Sequence, residues 1–161
     1  MIFRHVIATT MVLAASSQVS AQGYLEAMDS FEFSAKLNHA AKSCETMGYT
    51  VDFDAIKAFG MDNVAAAVAD GVSVDVAQNL ALSALKEEGE RQEFLNQHFM
   101  KNIETAEAAG DTDRMTYLLE GYFNRWSNTC AELSSDPRSE DFFSVGDSDL
   151  VKDWRELFGN R

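Results

Sequence analysis

Proline is nearly missing from this chain of 161 residues: the single one is Pro137. Its ring removes a backbone donor and clashes with the preceding turn, so its scarcity leaves long helices unobstructed. Positive charge is also scarce, with 13 Lys and Arg against 26 Asp and Glu. Such a surplus of acid repels phosphate backbones and anionic headgroups, which attract basic patches, so no nucleic-acid partner is expected. No run alternates apolar and polar residues long enough to make a strand, and there is no internal repeat or low-complexity tract. No Asn-x-Ser/Thr acceptor follows residue 21. The nearest approach is Asn128-Thr129-Cys130, a weak pointer to a bacterial source.

What is present begins at the amino terminus. Arg4 is followed by a largely apolar stretch, Val6 to Ala15, and then by a short polar segment ending Val19-Ser20-Ala21. This is the layout of a secretory signal peptide over residues 1–21 with cleavage after Ala21. The apolar run is too short for the ~20 residues that cross a bilayer, so no membrane span is expected after processing. Removal of that segment leaves 140 residues with 12 basic against 26 acidic side chains. That length suits one domain, 22–161. The expected location is the periplasm or the extracellular space.

Two cysteines remain, Cys44 and Cys130. An oxidising compartment and an even count predict a Cys44–Cys130 disulfide. No Cys-x-x-Cys is present to suggest redox catalysis.

Glycine marks helix ends, because it tolerates the left-handed conformation that closes a last turn. Gly48, Gly60, Gly71, Gly110 and Gly159 each end an amphipathic stretch, and Asp52, Asp62, Ser73 and Asp111 stand ready as N-caps. The pattern predicts helices over about 25–47, 53–59, 63–69, 74–109 and 112–133, with a kink near Gly89. Phe33, Leu37, Ala40, Cys44 and Met47 form one apolar stripe; Met115, Leu118, Tyr122, Trp126, Cys130 and Leu133 form another. Both cysteines lie within these stripes. A mobile, acidic loop over 134–147 should lead to a short terminal helix, 148–158. The expected class is all-α: three main helices plus short capping helices, stapled by one disulfide. Both cysteines stand near the carboxyl ends of their helices, so 25–47 and 112–133 are expected to run parallel, with 53–70 lying across one end.

Chemistry-bearing motifs are thin. His39 and His98 sit at stripe edges, and His98-Phe99-Met100 with Met47, Met61 and Met115 is a faint copper pattern better read as packing. Asp111-x-Asp113 and Asp147-x-Asp149 start like calcium loops but lack the glycine and closing glutamate. Gly71-Val72-Ser73 is not a nucleophile elbow, and Ser73 reads as a cap. Glu87, Glu88, Glu90 and Glu93 form a solvated helix face paired with Lys86 and Arg91. No catalytic residue, metal ligand or cofactor is assigned, and an enzyme is not favoured. Trp154, Leu157 and Phe158 form an apolar face that either docks back on the bundle or binds a partner. The expected function is an exported, non-enzymatic protein-binding module of adaptor, inhibitor or immunity type, with a cationic partner. The alternative is a helical-bundle carrier of a small ligand or metal ion.

Overall fold

The computed structural model describes residues 21–145. Four helices dominate: α1 Ala21–Thr46, α2 Phe53–Ala69, α3 Val74–Ala108 and α4 Thr112–Leu133. The fold is an all-α bundle with one disulfide, as the sequence implies. The cap residues behave as expected: Asp52, Ser73 and Asp111 each accept a hydrogen bond from the backbone N–H three residues on. Gly48, Gly71 and Gly110 take positive φ where α1, α2 and α3 end.

Gly60 and Asp62 do not mark a break. The expected pieces 53–59 and 63–69 form one continuous helix rather than two caps across an end. The reason is packing along its length. Ile56 is buried against Leu37 and Cys44, whereas Ala67 is buried against Ala27 and Phe31, so α2 lies antiparallel on α1. Midway, the Asn63 amide donates to Ser34 Oγ at 2.7 Å. Burial at both ends outweighs the modest propensity penalty of one interior glycine.

α3 returns parallel to α1. Ala77 packs with Ala27 at the start of both helices, and His39 Nε2 donates to Leu85 O at 2.9 Å further along. The helix continues without a break through Gly89. At ~1.5 Å per residue its 35 residues reach ~52 Å, against ~39 Å for the 26 residues of α1. The distal third of α3 therefore overshoots α1.

That overshoot corrects the expected orientation of α4. Gly110 turns the chain, and Phe99 stacks on Tyr122 with ring centroids 4.5 Å apart as α4 descends antiparallel to α3. α4 meets α1 only with its last turns. Cys130 bonds Cys44, and Glu132 then pairs with Lys36, so numbers rise on one helix as they fall on the other. α1 and α4 are antiparallel. Two carboxyl-terminal halves meet because α4 is displaced along the bundle axis, not because the helices share a direction.

Two short strands also depart from expectation. Tyr49–Val51 (β1) pairs antiparallel with Phe143–Val145 (β2), Tyr49 facing Val145. Three residues each is too short to leave a period-two signature. The segment from 134 to 145 is therefore not a free tether. Ser139, 1% exposed, donates from Oγ to Leu133 O at 2.7 Å, and a 3-10 turn at Glu140–Phe142 leads into β2. Arg138 lies over the Phe33 ring at 3.5 Å and pairs with Asp29 and Asp136. The expected terminal helix lies outside the described residues.

The core has two centres. One surrounds the disulfide: Phe33, Leu37, Ile56, Trp126, Leu133 and Phe143. The other joins the start of α1 to the α2–α3 turn through Ala27, Phe31, Ala67, Val72 and Ala77. Small side chains dominate the second centre, which lets three helices approach closely.

Candidate functional site

Two features stand outside this packing. The first is the arm made by distal α3 and proximal α4. An amphipathic helix must bury its stripe against other elements, and two helices alone cover each other incompletely. Leu95, Phe99, Ile103, Met115, Leu118 and Tyr122 form the seam and stay half-exposed. Around it Phe94, Met100 and Tyr117 are 68%, 51% and 74% exposed. Residues 97–122 carry Glu104, Glu107, Asp111, Asp113 and Glu120 against Lys101 and Arg114, so the arm is acidic.

The second is a cleft of about 350 Å³ at the arm's base, between α1, α3 and α4. Lys36, Arg91 and Arg125 border it, with Gln92, Leu95 and Trp126. Lys36 pairs with Glu132 at 3.1 Å, and Arg91 makes a two-point contact with Glu88 at 2.6 and 2.7 Å. Burial alone would raise the Glu88 carboxyl. Hydrogen bonds from Arg91 and Gln92, with the Arg91 charge and His39 adding to them, hold it below its ordinary value. Arg125 donates to the neutral Gln92 Oε1 and lies 4.9 Å from the centre of the Trp126 ring. It makes no ion pair among the described residues. Partial burial lowers its pKa and the neighbouring Arg91 charge adds to this, while Tyr122 and the Glu88 carboxylate oppose it. Trp126 is 3% exposed, and its indole N–H has no hydrogen-bond partner among the described residues.

The residues singled out in the sequence are distributed differently. Cys44 and Cys130 are joined, with Cα atoms 5.4 Å apart. His39 is tied to Leu85, and exposed His98 stacks on Phe94 at 6.3 Å. His39 and Met100 border one shallow pocket, and no group of three His, Cys, Asp or Glu that would hold a metal occurs among the described residues. Ser73 caps α3. Glu88 leaves the solvated acidic face by turning toward Arg91 and Gln92. Trp154, Leu157 and Phe158 lie outside the described residues. Arg125 and Lys36 were not marked by any motif. Their meeting depends on the axial offset of α4, and only the rarity of basic residues in an acidic chain hints at it.

No protein family, curated protein or solved structure matches the chain. Fold and site define it as a disulfide-stapled four-helix bundle with a projecting two-helix arm.

Proposed function

We propose that this protein is an exported, non-enzymatic binding module that engages a partner protein through the arm. The observation that carries the reading is the half-exposed seam and its flanks, Phe94, Met100 and Tyr117. Exposed apolar side chains gathered along one seam and rimmed by charge are a usual mark of a contact site. The acidic flanks favour a partner with an apolar centre and a basic rim, because complementary charge speeds encounter and suppresses wrong pairings. Export is supported by the signal-like residues 1–21 and by the Cys44–Cys130 bond, which suits an oxidising compartment such as the periplasm. No helix among the described residues is long and apolar enough to cross a membrane.

A photo-crosslinking residue placed at Tyr117 tests the reading, with one at Gln78 at the other end of α3 as control. The expected result is one basic partner crosslinked from position 117 alone. Its purified form should bind the wild-type protein and lose at least tenfold affinity for Tyr117→Asp. Equal crosslinking from both positions, or unchanged affinity of Tyr117→Asp, overturns the proposal.

A further inference from the structure

We infer that the cleft bordered by Arg91, Arg125 and Trp126 is an anion site that takes a small organic carboxylate. The inference is independent of the arm and its partner.

The chain has 13 basic residues against 26 acidic ones, yet three of the thirteen border this one cleft. Two of them are committed: Lys36 to Glu132 and Arg91 to Glu88. Arg125 is not, since its partners are a neutral amide oxygen and an aromatic face. A guanidinium beside another guanidinium, reached by Glu88 only through space while that carboxylate is bonded to Arg91, is an unusual arrangement in a protein with acids to spare. The wall next to it is formed in part by Trp126, which is almost wholly buried. An anion in the cleft would give Arg125 a direct charged partner and offset the repulsion between Arg91 and Arg125.

The shape of the donors selects the anion. The planar fork of arginine matches the two oxygens of a carboxylate. The indole, Leu95 and Ala40 add apolar wall, which suits a flat hydrocarbon body and not a fully hydrated inorganic ion. The volume of about 350 Å³ is at the small end of ligand pockets.

Benzoate is the probe. The indole N–H resonance of Trp126, assigned by its loss in Trp126→Phe, is followed by NMR during titration of the full chain with sodium benzoate. Sodium phosphate and sodium chloride at equal ionic strength serve as controls. The expected result is a saturable shift with benzoate, at least tenfold weaker with phosphate, absent with chloride, and at least tenfold weaker in Arg125→Gln. A thermal melt checks that this variant folds. If it does not, Arg125→Lys replaces it, keeping the charge but losing the fork, and should also bind at least tenfold more weakly. A non-saturating shift, an equal response to chloride or phosphate, or unchanged affinity in a folded Arg125 variant overturns the inference.

Discussion

His39 on α1 lies so close to Gly89 on α3 that a β-carbon on the glycine would stand 3.1 Å from His39 Cε1. The imidazole is held there by its bond to Leu85 O. The glycine is thus a point of close approach between parallel helices. Replacing an exposed helical glycine by alanine gains up to about 1 kcal/mol. At Gly89 that gain is offset by displacing the ring and its hydrogen bond, worth about 1 kcal/mol. Gly89→Ala should therefore leave stability nearly unchanged, whereas the same change in a His39→Ala background should stabilise by about 1 kcal/mol. Urea unfolding of the four proteins measures the coupling. Gly60→Ala, with nothing within 4 Å of the new carbon, should show the gain alone.

The disulfide joins α1 and α4 across 86 residues. On the chain-entropy account a ring of that size stabilises the folded state by about 4–5 kcal/mol. Replacing both cysteines with alanine should lower unfolding free energy by at least that much, since two fully buried sulfurs also leave space behind. Urea unfolding of the double variant beside the oxidised protein checks this, and a loss below about 2 kcal/mol would contradict it.

Glu88 sets an acid limb. Burial opposes its charge, but Arg91, Gln92 and His39 hold its pKa below the ordinary 4.5. A carboxyl lowered on folding contributes stability above its unfolded value, and that contribution fades as pH falls through the folded value. The thermal midpoint should drop below about pH 4.5, while Glu88→Gln starts lower at neutral pH and falls less steeply. Asp136, lowered first of all by hydrogen bonds from the Arg138 side chain, adds to the same limb in the wild type. Parallel curves for wild type and variant would contradict the assignment.

Much of the helical framework could be read directly from the residues: three glycine ends, three acidic or hydroxyl caps and both apolar stripes stand where periodicity puts them. Relative placement could not be read that way. Gly60 has the same composition signal as Gly71, and only burial of Ile56 and Ala67 on α1 decides that the helix continues. The parallel arrangement expected from Cys44 and Cys130 assumed helices in axial register. The length of α3 breaks that assumption, and the same offset brings Arg125 to the cleft. Strands of three residues carry no periodicity at all, and β2 lies 92 residues beyond β1.

Protection should follow the same geometry. Backbone amides of Leu37–Cys44 and Cys130–Leu133 belong to the buried disulfide centre, whereas among the described residues the stretch from Glu107 to Arg114 is exposed throughout. Hydrogen exchange followed by mass spectrometry should find the former slowest and residues 104–116 fastest within the helices. Equal protection in both regions would mean that the arm is supported by more than its own seam.

The bond between Cys44 and Cys130 makes the enclosed chain a covalent ring, with the tip at Ala109–Thr112 as part of its circumference. A protease that cuts at that tip opens the ring without releasing either piece. The nicked molecule keeps its mass apart from one added water, and falls into two fragments only when a reductant is supplied. Damage at this exposed tip is thus held in place by the buried disulfide.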